Sequence, residues 1–236
     1  MNWHSLLNFS PDELVAIRLS LKVALWAVAI SLPPGILVAL ILARARFFGR
    51  ELLDVVVHLP LILPPVVTGY FLLLLFGRRG PLGHFFYQVF GITFAFRWTG
   101  AVLASAVVAF PLMVRAIRLS IEAVDRRLED AAATLGAAPV WVFLTVTFPL
   151  ILPGIIAGAI LSFARSLGEF GATITFVSNI PGETQTLPTA LYTFTQVPGG
   201  DEGALRLTLV SVVISAGALL ISEFLARRVA RKVSGL

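Results

Sequence analysis

The sequence predicts an all-α integral membrane protein, a bundle of about five transmembrane helices with a helix-turn-helix loop on the cytoplasmic side. Three observations predict it. The 236-residue chain is 58% hydrophobic and only 13% charged, with a mean hydropathy of +0.92; a soluble domain is about 45–50% apolar and about 25% charged. The apolar residues gather in runs long enough for the ~20 residues a spanning helix needs. Between two of those runs lies a short segment with the caps and turn of a surface helix pair. One soluble core could not hide this much apolar surface, so soluble enzymes, disordered chains and fibrous proteins are excluded.

The first run covers roughly 14–43. Asp12 and Glu13 precede it, and no Lys or Arg does, so it lacks the basic start of a signal peptide. Ala43-Arg44-Ala45 resembles a cleavage site, but the apolar run is too long for a signal peptide, and it is expected to stay as an uncleaved span. Arg18 and Lys22, four residues apart on one face, can snorkel to the headgroups. Further spans are expected at roughly 54–76, 98–119, 148–177 and 205–226. Whether 148–177 is one continuous helix is open at this point. Prolines interrupt the spans at Pro33-Pro34, Pro60, Pro64-Pro65, Pro111, Pro149 and Pro153. Each removes a backbone donor, which a membrane tolerates where neighbouring helices or water satisfy the freed carbonyls. Gly and Pro are also simply commoner in membrane helices.

Orientation follows from the basic residues. Arg44, Arg46 and Arg50 lie in the first loop, Arg115, Arg118, Arg126 and Arg127 around the third, and Arg227, Arg228, Arg231 and Lys232 in the tail. They outnumber Arg78, Arg79, Arg97 and Arg206 on the opposite side, which puts the N-terminus outside and the C-terminus in the cytoplasm. The net charge of +5 is then a topology signal, and no nucleic-acid partner is expected. No cysteine is present, which removes disulfides, thiolate chemistry and Cys-based metal sites. His4, His58 and His84 are scattered, so no metal site, cofactor or catalytic residue is expected.

The cytoplasmic loop 125–149 reads DRRLEDAAATLGAAPVWVFLTVTFP. Asp125 is a good N-cap. Leu128, Ala131, Ala132 and Leu135 form one apolar stripe. Gly136 can take the left-handed conformation that ends a helix, and Pro139 suits the first position of the next. Periodicity alone leaves two uses open, a docking element for another protein or a connector lying on the membrane.

This loop resembles that of the permease subunits of binding-protein-dependent ABC importers, which carry E-A-A-x3-G-x9-I-x-L-P. Here Asp130-Ala131-Ala132, Gly136 and Val146-Thr147-Phe148-Pro149 stand at the same spacing, with Asp for Glu, Val for Ile and Phe for Leu. The resemblance implies the type I importer permease fold and a loop that docks into a groove of a separate ATPase. It also implies that Asp130, Ala131, Ala132 and Gly136 are coupling residues, with Glu129 beside the acidic position sharing its role. No G-x4-G-K-[ST] loop occurs in the chain, so ATP hydrolysis is expected in the partner.

In the fourth span, Arg165 and Glu169 lie four residues apart at membrane depth. Intramembrane charges are costly and face the bundle interior; this pair either serves the translocation pathway or pins helices together. Ser166, Thr173 and Thr175 are pathway candidates whose hydroxyls could guide an oxyanion or bond back to helix carbonyls. The stretch Ala164–Thr193 closely resembles molybdate importer permeases. Sulfate/thiosulfate permeases share the Ala-Arg-x-Leu-Gly-Glu-Phe-Gly core, but the loop Asn179-Ile180-Pro181-Gly182-Glu183-Thr184 sides with molybdate and its near twin tungstate. The resemblance implies a homodimer in the inner membrane, two ATPase subunits and an external molybdate-binding protein that docks near residues 179–204. A passive channel or scaffold is the rival reading.

Overall fold

The computed structural model describes residues 9–234, and all regular structure among them is helical. His4 lies outside the described residues, as do the side chains of Arg227, Arg231 and Lys232 in the tail. Four helices are long and apolar enough to cross a membrane, or five if a bent pair counts as one span.

Helix α1, Pro11–Arg44, starts at a capping box: the Ser10 hydroxyl accepts from the Glu13 amide, and the Glu13 carboxylate accepts from the Ser10 amide. Pro33 and Pro34 lie inside it without ending it. Its buried face is a stripe of small residues, Ala16, Ser20, Ala24, Ala27, Ser31, Gly35 and Ala39. Lipid supplies no hydrophobic drive between helices, so close backbone approach of this kind holds them together. The opposite face shows Leu25, Trp26, Ile30 and Leu37.

The run expected as one span at 54–76 is two helices, α2 (Arg50–Ile62) and α3 (Pro65–Phe76), bent by 114°. The bend falls at the Pro64-Pro65 pair. A proline drives the residue before it out of the helical region, and Leu63 (ψ 143°) and Pro64 (ψ 131°) are both extended. Next comes a short helix that sequence reading missed, α4, Pro81–Phe90. Its signals were Pro81 at the first position and Gly91, left-handed at φ 65°, just past the end.

Helix α5, Trp98–Glu122, is the axis of the bundle and packs most extensively on α1 and α8. It buries Ala101, Ala104, Val108, Met113, Ile117 and Ile121 among others. The loop pair α6 (Arg126–Thr134) and α7 (Pro139–Val142) follows, then a π-helical turn at Phe143–Thr147 that runs straight into α8, Phe148–Leu167. The chain breaks at Gly168–Phe170 and resumes as α9, Gly171–Val177. The 148–177 run is therefore a broken helix. Helix α10, Leu187–Gln196, is anchored to α1 where the Ser20 hydroxyl accepts from the Leu187 amide at 2.6 Å. Helix α11, Asp201–Ser234, lies at the periphery, exposing Val213, Leu219 and Leu220.

Two ionic ties organise the bundle. At one end Arg206 of α11 meets the fully buried Glu13 carboxylate of α1 at 2.9 Å. At the end nearer the α6–α7 loop, Arg118 of α5 meets Asp54 of α2 at 3.1 Å and Glu122 at 2.8 Å, with His58 also on Asp54.

Candidate coupling loop and helix-break site

The loop is built as its residues dictate. The Asp125 carboxylate accepts from the Arg127 amide at 3.0 Å and caps α6. The far end is a Schellman closure: the Gly136 amide donates to the Ala133 carbonyl at 3.0 Å and the Ala137 amide to the Ala132 carbonyl at 3.2 Å. This closure needs a left-handed residue, and Gly136 sits at φ 86°. Pro139 opens α7.

The apolar stripe is not spent on the chain's own core. Leu135 is 89% exposed and Trp141 62%, while Leu128 and Val140 are exposed beside them. Ala131 and Asp130 are exposed, and Ala132 is half-buried. These exposed apolar side chains are free for contact outside the chain. Asp130 also lines a groove of about 440 Å³ together with Arg44, Arg126 and Pro139.

Glu129 behaves differently from its neighbour. One carboxylate oxygen accepts from Arg44 at 3.0 Å and from the Thr147 hydroxyl at 2.7 Å. Glu129 thus faces its own chain, pinning α6 to the end of α1 and to the π-helical turn.

The second candidate group sits at the break in the fourth apolar run. The Arg165 guanidinium lies 2.7 Å from Glu169 Oε2, off the angle of a hydrogen bond, so the contact is ionic. Glu169 is 1% exposed and Arg165 28%. The other oxygen, Glu169 Oε1, accepts from the Ala172 amide at 2.7 Å. The carboxylate therefore caps the first turn of α9, where a negative charge suits the helix dipole. Charge pairing and capping together hold Glu169 inside an apolar bundle.

This break faces the other one. A Cβ on Gly69 of α3 would lie 2.5 Å from the Ala172 carbonyl oxygen, and one on Gly171 would lie 2.8 Å from Pro65. Helices α3 and α9, the far halves of both broken runs, cross at glycine distance right beside their breaks. Thr68, next to Gly69, carries a buried hydroxyl with no hydrogen-bond partner among the described residues. Sequence reading missed both Thr68 and Gly69; the crossing joins residues about a hundred positions apart in the chain.

The hydroxyl candidates divide. Thr175 donates to the Gly171 carbonyl at 2.8 Å, and Ser166 points at the Ser105 carbonyl at a long 3.5 Å. Both are spent on backbone. Thr173 is buried on α9. In the loop beyond, Thr184 accepts from the Ile180 amide and donates to Ser178, whose φ of 68° is unusual for a residue with a side chain.

Bent and broken apolar helices around buried charge, with an exposed helix pair at one end, define a membrane transport component rather than an anchor. The chain matches the binding-protein-dependent transport system inner membrane component family over residues 35–234 and belongs to it. Within that family it is 63% identical over 215 residues to the molybdenum transport system permease protein ModB of Escherichia coli K12, covering 91% of this chain and 94% of the relative. It is 58% identical over 221 residues to ModB of Haemophilus influenzae, covering 94% and 96%. The fold matches a bacterial ABC transporter involved in the import of the acidic polysaccharide alginate, with TM-score 0.76 at 17% identity over 97% of this chain and 84% of that one.

Proposed function

We propose that the chain is the permease subunit of an ATP-driven importer that passes molybdate, and its near twin tungstate, from an external binding protein into the cytoplasm. The observation that carries this is the α6–α7 loop: a capped, Schellman-closed helix pair at the motif's spacing, with its apolar face turned outward. The identity to molybdenum permeases supports the substrate.

The working unit is a homodimer with the pathway at its two-fold axis and one ATPase on each α6–α7 loop, inserted with the N-terminus outside. Asp130, Ala131, Ala132 and Gly136 form the contact, and Glu129 holds it in register with α1. ATP-driven closure of the ATPases draws the loops together and opens the pathway outward; hydrolysis resets it. The energy enters as differential contact between two packings. The crossing of α3 and α9 is where the two packings differ, with Arg165 and Glu169 keeping α9 capped through the change.

The test is co-purification with the partner ATPase and reconstitution in vesicles with the loaded binding protein, using molybdate, tungstate and sulfate in turn. Stimulated hydrolysis and uptake with the first two are expected. Stimulation by sulfate alone would reassign the substrate to the sulfate branch of the family, and uptake without any ATPase would make the chain a passive channel.

A further inference from the structure

A cavity of about 760 Å³ opens at the end of the bundle away from the α6–α7 loop. It lies between the end of α3, helix α4 and the segment leading into α5. None of the coupling or pathway candidates lines it. Its wall is aromatic: Phe76 and Phe94 meet edge-on at 5.6 Å, and Tyr87 and Trp98 complete it. Two exposed arginines, Arg78 and Arg97, also line it. The Arg78 guanidinium lies 5.6 Å from the Tyr87 ring, and Lys22 sits 3.5 Å over Trp98.

Three features need a common cause. First, neither Arg78 nor Arg97 has a carboxylate within ion-pair distance among the described residues, and no Asp or Glu occurs in the sequence between Asp54 and Glu122. Second, Phe96 is held at φ 59°, a region that residues with side chains avoid, immediately before Arg97; such strain persists where the surroundings impose it and clusters at ligand sites. Third, α4 exposes Leu82, Phe85, Val89 and Phe90 next to the cavity, apolar side chains that suit contact with lipid. The cavity mouth sits where α3 ends and α5 begins, and it carries Tyr87 and Trp98, residue types that gather at the headgroup level of membrane proteins.

From these we infer that the cavity binds an anionic phospholipid, its phosphate between Arg78 and Arg97 and its glycerol and upper acyl chain against Phe94, Phe96 and Trp98. A cavity of this volume fits a ligand larger than a tetrahedral oxyanion, and a wall half apolar suits a ligand with an apolar body. The lipid phosphate also supplies the counter-charge that Arg78 and Arg97 do not find among the described residues.

The experiment is native mass spectrometry of the full-length chain, titrated with phosphatidylglycerol or phosphatidylcholine. The wild type is expected to retain phosphatidylglycerol at a tight site about thirtyfold more strongly than phosphatidylcholine, the product of two cation contributions. R78Q/R97Q is expected to lose that preference, R78K/R97K to keep most of it, and R79Q, which does not line the cavity, to match the wild type. Equal retention of the two lipids by the wild type overturns the inference without recourse to any variant. So does undiminished phosphatidylglycerol preference in R78Q/R97Q. Displacement of the lipid by millimolar inorganic phosphate or molybdate would make the cavity a free-oxyanion site and overturn the lipid assignment.

Discussion

Gly69→Ala is the sharpest test of the crossing between α3 and α9. The added Cβ would meet the Ala172 carbonyl oxygen at 2.5 Å, its Cα at 2.8 Å and its carbonyl carbon at 3.0 Å. All three are backbone atoms, so no side-chain rotation can relieve the contact. Restoring ordinary van der Waals separation requires the helices to part by roughly 1 Å. The expected cost is about 1–3 kcal/mol, the range for overpacking a close-packed interior. Gly217→Ala on α11 is the matched control, since a Cβ there meets nothing within 4 Å; helix propensity alone makes it neutral or stabilising by up to about 1 kcal/mol. Thermal unfolding of the purified chain reads the stability, and ATPase-driven uptake reads the function. The expected result is a destabilised Gly69→Ala with transport lost or reduced beside an unaffected Gly217→Ala. Two variants alike in unfolding and uptake would refute the close crossing and its part in gating.

Gly136→Val should cost about 1–2 kcal/mol through the left-handed backbone alone, because nothing surrounds that position; pull-down should show the ATPase released while the spans stay inserted, and retained docking with full stimulated hydrolysis would sink the coupling role. Glu129→Ala leaves Arg44 and Thr147 without their shared acceptor, so stimulated hydrolysis should fall more than ATPase binding does, whereas a surface contact residue would lower binding first. Among Glu169→Gln, Arg165→Gln and the double variant, Arg165→Gln leaves the buried Glu169 carboxylate without its counter-charge, so the double should unfold at a higher temperature than Arg165→Gln; equal transport in all of them would reduce the pair to a structural pin. Arg206→Leu strands the fully buried Glu13 carboxylate and should destabilise the chain by about 3–5 kcal/mol, read as a lowered unfolding temperature that Glu13→Gln in the same chain partly restores.

What was legible in the sequence is what depends on neighbours in sequence. The Asp125 cap, the Gly136 turn and the Pro139 start are local chemistry, and each stands where the residue type put it. The interruption at Pro64-Pro65 was visible as a proline pair, but its consequence was not. Pro33-Pro34 leaves α1 continuous, while Pro64-Pro65 turns the chain by 114°. The same dipeptide gives two outcomes, so the bend is not encoded by the proline pair alone. Glu129 adjoins the acidic motif position in sequence, but its partners, Arg44 and Thr147, lie 85 and 18 residues away and carry no local signal. The apposed breaks are invisible for the same reason, and α4 was passed over because ten residues with Gly and Pro on either side look like a loop.

The two candidate sites are ends of one object. From Pro139 to Leu167 the chain runs as 29 helical residues without interruption, through the π-helical turn and into α8. At 1.5 Å per residue that is roughly 40 Å, enough to span the hydrocarbon core. Its first residues are half of the exposed loop, and its last turn carries Arg165, one residue pair before the break. In the proposed mechanism a displacement imposed at Pro139 is carried along this continuous helix to the break at Gly168. Glu169 then ties the far side of that hinge back to the rod, by charge to Arg165 and by its cap on Ala172. In the proposed mechanism this tie keeps the first turn of α9 capped, and the close approach of Ala172 to Gly69 leaves α9 little room to move against α3. On the proposed function, small motion at the loop would become a choice between two packings at the crossing, because close-packed interiors switch rather than stretch.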